Sequence, residues 1–237
     1  MKRIIRSRLI GTVLFLMAFA ALYGCDNNGG VTPVNEATYS ITVTNLTGNQ
    51  PLSPLAAAVH FGGYTGWEIG TSASAGLENL AEGGDPAGFL TEATGNSDVV
   101  ATGSGSGVIV PGASDTVELT TAESPDLRLT CATMLVNTND AFTGIADVLV
   151  GDLDVGESKR ISVHPYDAGT EVNDETASTI PGPAAGGEGF NAERLDRDFV
   201  SAHSGVVTGD DGLGTSVLDE SHRFLSPVAE ILVTRTQ

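Results

Sequence analysis

The chain has 237 residues, 30 acidic against 11 basic side chains, a formal net charge of −19 at neutral pH and two cysteines. Such a surface repels the phosphates of nucleic acid and of anionic lipid headgroups, so a nucleic-acid partner is excluded. It is compatible with binding divalent cations and with salty surroundings.

The first elements are at the N-terminus. Residues 1–8 carry four positive charges and no acid, and residues 9–22 form an apolar run interrupted only by Gly11 and Thr12. A basic head with an apolar core of this length predicts a secretory signal, too short for a stable bilayer span. The run closes on Leu22-Tyr23-Gly24-Cys25, which has the form of a lipobox, with Tyr23 bulkier than the small residue usual there. Cys25 is therefore expected to become the first residue of the mature chain and to be diacylated. Each buried methylene of the lipid adds roughly 0.8 kcal/mol, so two chains anchor durably without a transmembrane helix. The predicted organisation is a signal over residues 1–24, a lipid-anchored tether over 25–38 and one domain over 39–237. Losing residues 1–24 removes four basic residues and no acid, leaving 7 basic against 30 acidic, a net of −23. A lipidated Cys25 leaves Cys131 without an intramolecular partner, and the small and apolar residues around Cys131 predict a buried structural thiol.

Beyond the polar, glycine-bearing tether, Tyr39, Ile41 and Val43 alternate with polar residues and predict a strand with one buried face. Further strands are expected over residues 56–61, 98–102, 107–110, 115–120, 126–136, 159–164 and 229–235. Many are short and bounded by Gly, Pro, Asn or Asp, as in a sandwich or barrel. One helix is expected over residues 74–82, with Ser74 as cap, Leu77, Leu80 and Ala81 as its apolar side, and Gly83-Gly84 as the stop. Residues 176–215, rich in Gly, Pro and Asp, predict long loops.

Enzyme templates are missing: there is no G-x-S-x-G elbow, H-E-x-x-H, P-loop or dinucleotide fingerprint. His60, His164, His203 and His222 have no ligand spacing. A non-catalytic protein is expected, with a hydrolase using Asp140, Asp167 and His164 as the less favoured alternative. Trp67 with Tyr64 is a thin aromatic cluster, so a polysaccharide- or peptidoglycan-binding lipoprotein is a second alternative, and a purely structural envelope lipoprotein without metal a third. Carboxylates are more informative. Residues 137–144 follow a strand and put Asn139 and Asp140 on a loop, and residues 164–171 leave another strand with Asp167 and Glu171 four apart around Gly169. Two acid loops at neighbouring strand ends can hold a hard cation such as calcium, with backbone carbonyls and water completing its six to eight oxygens.

The order of motifs resembles the spondin N-terminal domain family. An opening strand ends in Asn45-Leu46-Thr47, followed by Leu52-Ser53-Pro54, Ala58-Val59-His60, Trp67-Glu68-Ile69-Gly70 and Leu80-Ala81-Glu82. Then come Met134-Leu135-Val136 with Asn139-Asp140, the more specific Pro165-Tyr166-Asp167-Ala168-Gly169-Thr170, and a closing strand over residues 228–235. The resemblance implies a mostly β fold, a C2-like antiparallel β-sandwich with one short helix and long loops. It also implies a structural calcium ion held by Asp140, Asp167 and Glu171, the last replacing the family's usual aspartate. The cysteines that staple animal members are missing. The function so implied is an extracytoplasmic, lipid-anchored binding or adhesion module for an extracellular protein or glycan. It would sit in the cell envelope, at the outer membrane or cell surface rather than the inner membrane.

Overall fold

Residue-by-residue alternation builds the first sheet. In the computed structural model, which describes residues 35–237, strand β1 runs Glu36–Asn45 with every second side chain buried. Residues 36–38, expected in the tether, therefore belong to the domain; the predicted signal, Cys25 and the tether up to residue 34 lie outside the described residues. Strand β1 is flanked by β4 (Ser114–Ala122) and β10 (Ala229–Arg235), and β7 (Ser158–Val163) closes a four-stranded antiparallel sheet in the order β4-β1-β10-β7. Ile41 pairs with Val233 and Val43 with Ile231, and all four are buried, as the alternation requires. The opposite face of β1 and β4 is polar, with hydroxyl pairs Thr38–Thr120 and Thr42–Thr116 at 2.9 and 2.8 Å.

The second sheet has six strands in the order β3-β2-β5-β6-β8-β9: β2 (Ala56–His60), β3 (Val99–Ser104), β5 (Arg128–Met134), β6 (Ala141–Leu149), β8 (Pro165–Asp167) and β9 (Ser201–Ala202). One face packs on the first sheet, where Ala57, Val59, Leu129 and Cys131 meet Tyr39, Ile41 and Val233. The other is covered by helices α1 (Ala75–Gly83) and α2 (Pro86–Thr94), whose Leu77, Leu80 and Phe89 pack with Ala56, Ala132 and Phe142. Burial on both faces is why β2 and β5 lack polar alternation. The expected β-sandwich is thus present, with a helical layer on one side. Cys131 is a free thiol between the sheets, and burial pushes its pKa up to about 12.

The structure departs from expectation in other places as well. Gly84, in the left-handed region at φ 68°, does stop α1, but the chain restarts at once: Asp85 accepts from the Ala87 N–H at 2.9 Å, Pro86 opens the first turn, and α2 follows. The acid loop expected over residues 137–144 ends at Asp140, because residues 141–149 form β6, an inner strand of the larger sheet. Residues 107–110 form no strand; Ile109 makes a single bridge to Leu52. No helix among the described residues is long and apolar enough to cross a membrane.

One crossing sets up everything that follows. Strand β7 lies in the four-stranded sheet and β8, only one residue later, in the six-stranded sheet, so the chain changes sheets at His164. Strand β8 then pairs antiparallel with the start of β6, Ala141 opposite Asp167 and Phe142 opposite Tyr166.

Candidate metal centre

That pairing brings Asp140 and Asp167 to the same end of adjacent strands. The turn that presents Asp140 is held by its own side chains: Thr138 Oγ1 donates to Leu135 O at 2.6 Å and accepts from the Ala141 N–H at 3.1 Å. Past β8 the chain folds back over Asp140. Asp140 Oδ2 accepts from the Thr170 N–H at 2.8 Å, the Glu171 N–H at 3.1 Å and the Thr170 hydroxyl at 3.3 Å. Gly169 makes this return possible. Its φ is +74°, and a Cβ there would meet Phe199 O at 2.3 Å, so the loop over residues 168–171 packs backbone to backbone against the long loop after it. The glycine in the Tyr-Asp-Ala-Gly-Thr run is a steric requirement of the site.

The three residues expected from sequence are all buried in this region, but they differ in how their charge is met. Asp167 is neutralised. Its Oδ1 accepts from the Gly169 N–H at 2.8 Å, and its Oδ2 accepts from Asn173 at 2.8 Å and from Arg197 at 3.0 Å. Asp140 and Glu171 have no cationic partner, and Asp140 Oδ1 and Glu171 Oε2 are buried without any hydrogen bond. Burial, then the neighbouring Asp167 charge, pushes the Asp140 carboxyl up to about 7 against the pull of the Glu171 and Thr170 N–H groups. Glu171 is pushed up to about 8 by burial, then by Glu82, Asp140 and Glu188.

Glu82, in the last turn of α1, is the acid that sequence reasoning missed at this site. It is fully buried; its Oε2 accepts from the Asn191 N–H at 2.8 Å, while its Oε1 has no partner. The Thr170 hydroxyl that donates to Asp140 also lies beside the Glu82 carboxylate. Burial raises the Glu82 pKa, with Asn191 and Thr170 opposing and the Glu78 charge adding to the rise. A sequence signal was present, since Glu78 and Glu82 flank the Leu77, Leu80 and Ala81 stripe one turn apart. The two glutamates meet different fates. Glu78 is clamped by Arg194, whose Nη2 and Nε reach its two oxygens at 2.7 and 3.1 Å.

A 90 Å³ pocket lined by Asn139, Glu171, Glu188 and Asn191, among others, opens the Glu171 side of this cluster to solvent. Among the described residues no three His, Cys, Asp or Glu side chains are already drawn together as ligands of one ion. The donor chemistry nonetheless fits a hard cation: the unsatisfied atoms of Asp140, Glu171 and Glu82 are carboxylate oxygens, and the pocket brings solvent to Glu171.

His203 is buried beside the site, its Nε2 3.3 Å from the Oδ1 of the Asn173 that donates to Asp167, while the other histidines and the aromatics serve elsewhere. His60 is a core residue satisfied by Phe61 O at 2.6 Å and Thr130 Oγ1 at 2.9 Å. His164 is exposed, paired with the Ser226 hydroxyl at the opposite end of β8 from Asp167. Trp67 packs edge-on against Phe142, ring centroids 5.1 Å apart, and against Tyr166, so it braces the sheet beneath the site.

The search of curated proteins returns no match. The family model Spondin_N matches residues 44–181, more than half of the chain and the stretch that contains Glu82, Asp140, Asp167 and Glu171. With its sandwich, its motif order and this match, the chain belongs to the spondin N-terminal domain family.

Proposed function

We propose that this protein is an extracytoplasmic binding module, held to the cell envelope by a lipid on Cys25, in which one calcium ion organises the loops at the end of the sandwich. The observation that supports the ion is the pair of buried, unpartnered oxygens on Asp140 and Glu171 beside the Asp167 carboxylate. Asp140, Asp167 and Glu171 would hold it, with water entering from the pocket. When bound, the ion supplies positive charge and cross-links the β5–β6 turn to the loop after β8. The chain's own residues do the rest: Gly169 allows the close return, and the Thr170 and Glu171 N–H groups fix one Asp140 oxygen while leaving the other free.

The test is the melting temperature of the domain in 1 mM calcium and in chelator. A site with a dissociation constant near 10 µM stabilises the fold by about 2.7 kcal/mol at that hundredfold excess. Asp140→Asn should lose the gain while melting at or above wild type in chelator. Its remaining oxygen still accepts from Thr170 and Glu171, and a repelling charge is gone. Glu118→Gln, at an exposed acid on β4, should keep the gain. If both variants respond to calcium as wild type does, the ion acts by diffuse screening and the site is refuted.

The envelope placement rests on the basic head, the apolar run and the lipobox that ends it. Cys25→Ser should move the protein from the carbonate-washed membrane pellet to the soluble fraction. The ligand, an extracellular protein or a glycan, is to be sought by screening the soluble domain in calcium against a glycan array and against envelope proteins.

A further inference from the structure

Five buried acids gather around the return loop, and pairing each with its counter-charge leaves a remainder. Glu78 has Arg194 at 2.7 Å, and Asp167 has Arg197 at 3.0 Å. Asp140, Glu171 and Glu82 have no cation, and each retains one buried oxygen with no hydrogen-bond partner. Their charges act on one another, Glu82 on both Glu171 and Asp140, and the Thr170 hydroxyl that donates to Asp140 lies beside Glu82. Glu82 is itself fully buried, and its Oε1 has no hydrogen-bond partner in the protein. Uncompensated buried charge of this kind is expensive and is met by pairing, by protonation or by a metal.

We infer that Glu82 of helix α1 is a further ligand of the cation, so that the site joins the helical layer to the loops of the sandwich. This rests on the calcium reading above and adds a residue to it. The Asn191 N–H fixes Glu82 Oε2 at 2.8 Å, which turns the carboxylate and leaves Oε1 as the free donor. Asp140 is held in the same way, one oxygen fixed by N–H groups and the other bare. Anchoring one oxygen of a carboxylate while offering the other is how a protein orients a hard-ion ligand. The consequence is that calcium pulls α1 onto the start of β6 and the loop after β8, three parts of the chain with no covalent reason to move together.

The experiment is calorimetric titration of calcium into the whole mature domain, wild type, Glu82→Gln and Glu78→Gln, each also melted in chelator and in calcium. Glu82→Gln should weaken calcium binding about tenfold or more, since charge count tunes such sites, while melting no lower than wild type in chelator. Glu78→Gln disturbs the same helix through its pair with Arg194, so it should melt lower in both buffers and keep wild-type calcium affinity. Amide-exchange protection of α1 should rise with calcium in wild type and stay unchanged in Glu82→Gln. Wild-type affinity in Glu82→Gln overturns the inference and leaves the calcium reading standing. A wild-type domain that binds no calcium overturns both.

Discussion

In calcium-free buffer the domain should lose stability as the pH rises from about 5 to about 8, opposite to the usual gain as carboxylates ionise. Asp140 and Glu171 have folded-state pKa values of about 7 and about 8, against ordinary values of 3.8 and 4.5. Between the ordinary and the raised value the native state holds protons that the unfolded chain has released, so the slope of stability against pH is negative. The contribution is fully present below the ordinary values and is lost as pH climbs through the raised ones. Asp140 and Glu171 repel each other and do not titrate independently, so the loss is on the order of 4 kcal/mol for the pair. The lowered carboxylates, Asp174 among them, act at more acidic pH. Buried His60 and His203, lowered from 6.5, oppose the trend in the lower part of the window, so the fall is read between pH 7 and 8.5. Saturating calcium should flatten the curve, because the ion replaces the protons. Urea unfolding at pH 5.5, 7 and 8.5, with and without calcium, reads both effects. A calcium-free curve that is level between pH 7 and 8.5 would show that the two carboxyls are not held protonated by the fold.

The other large effect is expected at Arg194, which does not touch the proposed ion. Its guanidinium binds both oxygens of Glu78, the Ala73 carbonyl at 2.8 Å and Asp198 at 2.6 Å, stapling the long loop after β8 to the start of α1. Arg194→Ala strands the Glu78 carboxylate, whose side chain is 5% exposed. Removing one partner of a buried pair costs about 3 kcal/mol or more, which for a domain of this size lowers the melting temperature by on the order of 10 °C. The double variant Glu78→Gln with Arg194→Met should recover most of the loss, because no unpaired charge remains. If the single and double variants melt alike, Arg194 acts through its contacts with Ala73 and Asp198 rather than by neutralising Glu78.

The sequence was most readable where one face of a strand meets water. In β1 and β10 the alternation names the buried side chains directly, and Ile41, Val43, Ile231 and Val233 are where the pattern puts them. Strand β6 was not readable for two physical reasons. Its first residues are buried on both faces, so they do not alternate, and a bulge at Asp147 interrupts the rest. There φ is 56°, and the backbone N–H turns to the Thr130 hydroxyl at 3.0 Å while the carboxylate pairs with Arg128. Helix α2 was hidden by the glycines that end α1, although Asp85-Pro86 is a sound start signal. In the candidate site, Asp140, Asp167 and Glu171 were singled out by motif order, and all three are buried. Arg197 and Arg194 were not, because their partners lie 30 and 116 residues away and only the fold joins them. Glu82 was passed over because a glutamate on a helix ordinarily points to water, and its burial depends on Asn191 arriving from a distant loop.

Strand β1 also has a mechanical meaning. In a chain held from its N-terminus, load enters at Glu36, the first residue of a strand zipped along its length to β4 and for seven residue pairs to β10. Pulling along that axis shears two antiparallel ladders at once instead of peeling them one rung at a time. Under tension the relevant quantity is the unfolding rate, not the equilibrium stability. A domain moored this way would resist most in the direction in which its anchor is pulled, while the acid-lined loop after β8 belongs to the other sheet.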